Sequence, residues 1–336
     1  MDNKITRTRL GDFFSYEWVR IIIFSLVAIF VWELVFTITG VTLTTGQQFK
    51  VLYDTNLDTS TEEDIIPLAY EDGAFSYDVQ KIDREFLASQ SSINILSVRY
   101  ETRDCDVIAT CNKEQTVAGS LVRQAYDIID SVFVWSYDEM IKDGEAYLLP
   151  LLKSEFRGDA SKVYDYENLD EGEINKLFSS RKKNDNRFRT EKDKQIGMKE
   201  ERARIKKLCL DLKKAKYLLE NHLDIFLNYT RFEYTVGKNP VQSNLDVLEN
   251  QKQKNLTNYG KEKLAYGIDL EKLTITGNPD GKYNVTSFFS KDGSAEEIIL
   301  MAFNFINYQP HLQFESLSFM NSVVHLCSNL LDGFYA

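Results

Sequence analysis

The chain has 336 residues, enough for one large or two medium domains with a substantial buried core. Hydrophobic residues make up 43% and aromatic residues 12% of it, a composition that excludes a wholly disordered protein. The formal net charge of −11 excludes nucleic acid as the main partner, because phosphate binding needs a net basic face.

The first predicted element is an apolar segment whose only ionisable residues are Arg20 and Glu33. It covers residues 19–43, and about 22 residues at ~1.5 Å rise each cross a hydrocarbon core of ~30 Å. Basic residues crowd its N-terminal side, which predicts a cytoplasmic tail (1–18), a transmembrane helix (19–43) and an extracytoplasmic body (46–336). The expected location is therefore the cell membrane, in a single pass.

Two alternatives to an uncleaved anchor are open at this point. A cleaved signal peptide has a shorter apolar stretch and a small-residue cleavage site, and the segment lacks a clean site of that kind. A core helix of a cytosolic protein is seldom apolar on every face over such a length. The anchor is the reading that the pattern favours.

Glu33 is the unusual residue of this segment. A carboxylate near the centre of a spanning helix costs roughly 2.5–3.5 kcal/mol on insertion scales, which the surrounding apolar residues offset. Glu33 is predicted to contact a polar or basic group of another transmembrane helix. The alternative is that it is protonated or reaches water near the outer interface.

Beyond the segment, the spacing of apolar residues changes to that of an α/β domain. QFKVLYD alternates Phe49, Val51 and Tyr53 on one face, which predicts a strand, and AFSYDVQKID is a second candidate. Helical spacing follows in residues 84–104, and CDVIATC is typical of a buried parallel strand. The opening of the body is therefore α/β.

Two stretches of this region resemble the extracellular solute-binding proteins of the type II periplasmic-binding-protein fold. The first is NILSVRYETRDCDVIATCN (94–112), in which Asp106, Val107 and Ile108 match a strand of that family. The second is SVFVWSYDEMIKDGEAYLLPLL (131–152), which matches at Met140, Ile141, Gly144, Leu149 and Pro150. The N-terminus, with FFSYEW before the span and GQQFKVLY after it, is similar to membrane-anchored extracytoplasmic proteins of Gram-positive bacteria.

The resemblance implies a two-lobed α/β body that binds a small solute and presents it to a transporter such as an ABC-type permease. Trp135 and Tyr137 are then the candidates to stack on a sugar or peptide between the lobes, with Asp138 as a polar partner. Core packing is the other interpretation of Trp135. Two features depart from the family: Arg103-Asp104-Cys105-Asp106 replaces its usual turn, and a helix replaces its lipoprotein anchor. These departures favour a second function class, an interaction subunit of a membrane complex that has lost its ligand.

The second half of the chain is predicted from periodicity alone. Apolar positions between Thr190 and Tyr229 recur at three- and four-residue steps, which predicts a long amphipathic helix with a basic polar face. It is either a coiled-coil or membrane-surface helix or a packing helix with a solvated face. YGIDLEKLTITGNPDGKYNVTSFFS predicts short strands, and EEIILMAFNFINYQP and SLSFMNSVVHLCSNLLDGFY predict two helices that complete the core.

Motifs for enzymatic chemistry do not occur in the sequence. HExxH, GxSxG, a Walker loop and CxxC are all missing, and the three histidines lie apart. We therefore expect no enzymatic activity, cofactor or metal. Cys105 and Cys111 flank a predicted strand whose ends are about 20 Å apart, so they are not expected to form a disulfide.

Overall fold

The computed structural model describes residues 7–39, 47–53, 64–76, 79–86, 105–111, 114–117, 120–123, 134–180, 190–230, 263–277, 283–289, 298–303 and 314–335. It divides into two compact units, Met1–Thr44 and Thr45–Ala336. The first unit contains one helix, α1 (Arg7–Thr39), which begins inside the predicted cytoplasmic tail. Residues 40–43 of the predicted span lie outside the described residues.

The second unit is a mixed α/β body built on one seven-stranded sheet. Its strands are β1 (Gln48–Tyr53), β2 (Lys81–Phe86), β3 (Val107–Cys111), β6 (Val134–Trp135), β7 (Phe226–Thr230), β8 (Lys263–Asp269) and β9 (Ile298–Phe303). The order across the sheet is β2-β1-β3-β9-β8-β7, and β6 pairs with the end of β9 beside β8. A separate hairpin joins β4 (Glu114–Val117) to β5 (Ser120–Arg123).

Strand directions split the sheet into two parts. β2, β1 and β3 are parallel, with Val51 opposite both Arg84 and Val107. β3 and β9 are antiparallel, as are β9 and β8, and β8 and β7. The predicted strands QFKVLYD and CDVIATC are therefore confirmed. The second predicted strand begins at Lys81, later than AFSYDVQKID suggests. The helix predicted over residues 84–104 is wrong for residues 84–86, which belong to β2, and residues 87–104 lie outside the described residues.

Helices cover one face of this sheet. They are α2 (Ile65–Glu71), α3 (Tyr137–Leu148), α4 (Glu171–Ser179), α5 (Glu191–Asn221), α6 (Leu270–Thr276), α7 (Val285–Phe289), α8 (Glu315–Cys327) and α9 (Asp332–Tyr335), with short 3-10 turns between 149 and 168. Alternate strand residues such as Val51, Val107 and Leu300 face the larger core cluster, which these helices share. Their neighbours Leu52 and Ile108 belong to a smaller cluster on the other face, as the two-residue period of a strand requires.

The long predicted helix is confirmed as α5, with a capping box formed by Thr190 and Asp193 at its start. It ends at Asn221, eight residues before the predicted end, because residues 226–230 extend into β7. The last predicted helix is also confirmed, as α8.

The prediction of a helix for EEIILMAFNFINYQP is wrong, because its described part is β9. All six residues of β9 are buried, and the strand lies in the middle of the sheet with apolar contacts on both faces. YGIDLEKLTITGNPDGKYNVTSFFS is predicted as short strands, whereas its described parts form the end of β8, then α6, and α7 over Val285–Phe289. Asp269 ends the strand and caps that helix by accepting a hydrogen bond from the Lys272 backbone N–H at 3.1 Å.

A two-lobed periplasmic-binding fold is not confirmed. Residues 45–336 form one compact unit, and their described strands make one sheet and one hairpin. The mixed α/β class of the body is confirmed, together with one N-terminal apolar helix.

Candidate functional site

Trp135 is the first of the residues predicted to bind a ligand, and it is entirely buried. Its indole Nε1–H donates to Asp143 Oδ2 at 2.8 Å, and its ring packs against Phe314 with a centroid distance of 5.4 Å. The indole N–H of a buried tryptophan usually has a hydrogen-bond partner, as it does here. The core-packing interpretation of Trp135 therefore describes its contacts.

Tyr137 is also entirely buried, and its ring meets Phe226 edge-on at 4.6 Å. Burial raises the pKa of its phenol well above the ordinary value, and Asp211 adds to the effect. Its hydroxyl has no hydrogen-bond partner among the described residues.

Asp138 is the polar member of the predicted set. Its carboxylate accepts a hydrogen bond from the Ala265 backbone N–H at 2.8 Å, which ties α3 to β8. Trp135, Tyr137 and Asp138 thus have separate partners within the body, and the two aromatic residues present no surface to solvent. Their role in ligand binding stays a prediction.

Glu33 lies on α1 within the window Trp18–Val35, which is long and apolar enough to cross a membrane. Exposed Trp32 and Leu34 flank it, and none of the 18 residues in the window is buried. Glu33 is the third residue from the C-terminal end of the window. The helix continues beyond the window through Phe36 and Ile38 to Thr39, so Glu33 lies inside the apolar part of α1.

The most heavily charged interior region lies where α5 meets α8. Arg204 and Glu201 form an ion pair at 2.8 Å, and their side chains are 3% and 0% exposed. A second N–H of the Arg204 guanidinium group donates to the Tyr147 hydroxyl at 2.7 Å. Burial alone acts to lower the pKa of Arg204, but Tyr147 and Glu201 outweigh it and raise the pKa well above its ordinary value.

Asp211 is the second centre of this α5–α8 polar cluster, about two turns further along α5 than Arg204. Its carboxylate pairs with Lys207 at 2.5 Å and accepts a hydrogen bond from the Ser318 hydroxyl. Asn321 donates from Nδ2 to the Asp211 backbone carbonyl at 3.0 Å. Two groups on α8 are thereby fixed to one residue of α5.

A third carboxylate, Glu315, completes the cluster from the start of α8. It accepts a hydrogen bond from the Ser76 hydroxyl at 2.5 Å. A cavity of about 10 Å³ lies among these groups, which is room for one water molecule. The cluster is therefore an internal hydrogen-bonded network that joins α5, α8 and the segment after α2, and it has no space for a solute.

Asp72 organises a smaller group at the C-terminal end of α2. Ser322 donates to its Oδ2 at 2.6 Å, and Nδ1 of His325 lies 2.7 Å from its Oδ1. Burial acts to raise the pKa of Asp72, but the hydrogen bonds from His325 and Ser322 outweigh it and lower the pKa. In a Ser-His-Asp catalytic site the serine bonds to the histidine; here Ser322 bonds to the carboxylate, so this is not the geometry of that site.

An open groove of about 510 Å³ lies on the surface of the body. It lies against the turns after α3 and the start of α4, and its lining is polar, with Lys153, Ser154, Glu155, Tyr166, Glu167, Leu169, Asp170 and Glu171. Several of these groups already have partners. Lys153 donates to the Glu167 carbonyl at 2.6 Å, and Asp170 caps α4.

Among the described residues, no group of three or more His, Cys, Asp or Glu side chains is placed to hold a metal ion. Cys105, Cys209 and Cys327 are buried thiols. Cys105 is thus in no disulfide, as predicted, and Cys209 and Cys327 lie on helices as small apolar groups. Burial raises the pKa of the Cys209 thiol to about 12, so it stays protonated.

Neither the α5–α8 polar cluster nor the group around Asp72 was predicted from the sequence. Glu201, Arg204 and Asp211 belong to what periodicity alone presents as the solvated face of an amphipathic helix. The available signal was opposite charge at i,i+3 for Glu201 and Arg204 and at i,i+4 for Lys207 and Asp211. That spacing predicts an ion pair but does not tell a buried pair from an exposed one.

Comparisons with known proteins find no matching family model, no matching curated protein and no matching solved structure. The resemblance to solute-binding proteins therefore rests on the short motifs alone.

Proposed function

We propose that this chain is a single-pass membrane protein with a cytoplasmic N-terminus and an extracytoplasmic α/β body that serves as an interaction subunit of a membrane protein complex. The observation that carries the proposal is α1. It is a continuous helix of 33 residues whose 18-residue apolar window is nowhere buried. At ~1.5 Å per residue, a helix of this length spans a ~30 Å hydrocarbon core and both headgroup layers.

Glu33 supports an assembly role for this helix. A lipid-facing carboxylate is disfavoured by roughly 2.5–3.5 kcal/mol at the centre of a span, and a partner helix that offers a polar or basic group removes part of this cost. The partner class that fits is a multi-span membrane protein such as an ABC-type permease.

The interior of the body favours an interaction subunit over a solute carrier. Trp135 and Tyr137 have no exposed surface, and Asp138 is bonded to the backbone of β8. The α5–α8 polar cluster encloses space for one water molecule. A solute site needs several hundred Å³, and neither region provides it.

Orientation is tested with single exposed cysteines. We expect a membrane-impermeant maleimide to label Ser154→Cys in intact cells, and to label Thr8→Cys only after permeabilisation. Both positions are exposed and lie on opposite sides of the apolar window. The chain without an added cysteine supplies the background. The reverse labelling pattern, or equal labelling of both sites, contradicts the proposed topology.

The partner is tested by detergent pull-down of the full chain and mass spectrometry. We expect a multi-span membrane protein that is lost with Glu33→Leu and retained with Phe30→Leu, a change on the same helix that leaves the charge in place. If both variants retain the partner, Glu33 does not make the contact and another part of the chain binds the partner. No partner with the native chain contradicts the interaction subunit.

The second candidate function is solute binding, for which a two-lobed type II periplasmic-binding body is the expected architecture. The open groove favours it, because about 510 Å³ lies in the range of small-ligand sites and Tyr166 supplies an aromatic wall. Thermal unfolding of the full chain in detergent, screened against sugars and short peptides, is the test. A stabilising solute whose effect is lost with Tyr166→Ala, but not with Tyr70→Ala on α2, supports this function.

A further inference from the structure

A regular stripe of exposed residues runs along α5 and takes no part in the core. Its steps alternate between four and three residues, so its members lie on one line of the helix surface. A lysine occurs at every seventh position, with an apolar residue between successive lysines: Lys192, Ile196, Lys199, Ala203, Lys206, Leu210 and Lys213. Ile196 is 45% and Leu210 41% exposed. We refer to these seven residues as the lysine stripe.

The charges of the stripe are not used within the body. Its four lysines form no ion pair among the described residues, whereas other lysines of α5 do have partners. Lys194 pairs with Glu191 at 3.3 Å, and Lys207 pairs with Asp211 at 2.5 Å. Lys216 lies over the ring of Tyr164 at 4.8 Å. The stripe thus differs from the rest of the helix, whose cations are neutralised or held.

The surrounding charge makes the stripe distinct on this protein. The whole chain carries a net charge of −11, yet residues 181–189, RKKNDNRFR, precede α5 directly with five basic residues and one acidic residue. The stripe extends this basic sequence along the helix from Lys192 to Lys213, which is 21 steps of ~1.5 Å or about 32 Å. An anionic surface would attract the otherwise acidic chain through this face.

We propose that the lysine stripe docks α5 on the anionic phospholipid headgroups of the membrane in which α1 is anchored. This inference rests on the proposed anchor. The chain from Thr39 to Gln48 spans at most about 32 Å at ~3.6 Å per residue, so the anchor tethers the body close to the bilayer. Lysine stems lie along a membrane surface while their ammonium groups reach the phosphates, and Ile196 and Leu210 enter the interface between them.

A lipid surface fits the stripe better than a helical protein partner. A coiled-coil seam needs apolar residues at both of its repeating positions, and a lysine at one of them weakens it. In the lysine stripe, every second seam position is a lysine and Ala203 contributes little apolar area. Pairing with a second copy of α5 would also bring the four lysines against like charge.

The test places the full chain in lipid nanodiscs and reads the depth of α5. An Ala203→Cys variant carries a fluorophore at the centre of the stripe, and spin-labelled lipid in the disc quenches it on contact. We expect strong quenching in discs with 30% phosphatidylglycerol and weak quenching in pure phosphatidylcholine. At high salt this difference should disappear, because the surface charge is screened.

Matched charge variants assign the effect to the stripe. A basic residue near an anionic membrane strengthens association about fivefold, so Lys199→Gln with Lys206→Gln should weaken docking about 25-fold and largely abolish the anionic-lipid quenching. Lys142→Gln with Lys263→Gln removes two exposed lysines outside α5 and should leave quenching unchanged.

The outcomes separate this inference from the anchor on which it rests. A chain that is not recovered with the discs contradicts the anchor itself. A chain that inserts but is quenched equally in both lipids, or in neither, overturns lipid docking while the anchor stands. Loss of a co-purified protein from the Lys199 and Lys206 variant, without any lipid-dependent quenching, also overturns it and assigns the stripe to a protein partner.

Discussion

The ion pair between Glu201 and Arg204 shows how much a residue's role depends on its burial. Both side chains are almost inaccessible, so removing one partner leaves an uncompensated charge in the core. We expect Arg204→Met to lower the free energy of unfolding by about 3–5 kcal/mol. We expect the double variant with Glu201→Leu to be less destabilised than the sum of the single changes. Denaturant titration of the four chains checks this, and additive losses would show that the pair is not coupled.

Asp72 gives a prediction about pH at the same scale. Its pKa is lower in the folded protein than the ordinary value of 3.8. The ionised carboxylate therefore stabilises the fold above about pH 4, and this contribution is lost as the pH falls through the lowered pKa. Asp72→Asn should cost about 1.5–3 kcal/mol at pH 7, the range for hydrogen bonds to charged groups, and progressively less below pH 4. A cost independent of pH between 7 and 3 would contradict the role assigned to the charge.

At the scale of elements, Gly144 sets the approach of α3 to α5. A Cβ added there would lie 2.5 Å from Leu212 Cδ2, and Leu212 is entirely buried. Gly144→Ala should therefore destabilise the body by about 1–3 kcal/mol through overpacking, although alanine is the better helix former. Thermal unfolding measures the change. Lys142→Ala, on the exposed side of α3, is the control and should be nearly neutral; equal stability of Gly144→Ala would show that the helices can separate without cost.

The elements also show where sequence patterns are informative. The alternation of Phe49, Val51 and Tyr53 in QFKVLYD favours a strand, and the three-four spacing after Thr190 favours a helix; β1 and α5 are found there. IILMAF permits two, because a short run of apolar residues fits a buried helix or a strand that is covered on both faces. Only the pairing of β9 with β3 and β8 decides between them. The candidate site residues were ambiguous for the same reason. Trp135 lies at a strand end, where it could stack on a ligand or pack in the core. Its contact with Phe314, far away in the sequence, could not be predicted from local spacing.

The whole molecule has two units, and the described core residues all belong to the second, Thr45–Ala336, which predicts separable unfolding. Trp18 and Trp32 are exposed on α1, whereas Trp135 is buried in the body, so Trp18→Phe with Trp32→Phe leaves one fluorescent reporter of the core. β9 pairs with β3, β8 and β6, and the larger core cluster includes residues from both halves of the body.

In detergent, we expect urea to unfold the body in a single transition, seen at the same midpoint by Trp135 fluorescence and by circular dichroism. Helicity of α1 should persist beyond that midpoint, because an apolar environment keeps its backbone hydrogen bonds intact. Two body transitions with different midpoints would point to independent lobes and favour the solute-binding architecture. Loss of all helicity together with the Trp135 signal would contradict the separate membrane-spanning α1 on which the proposed function depends.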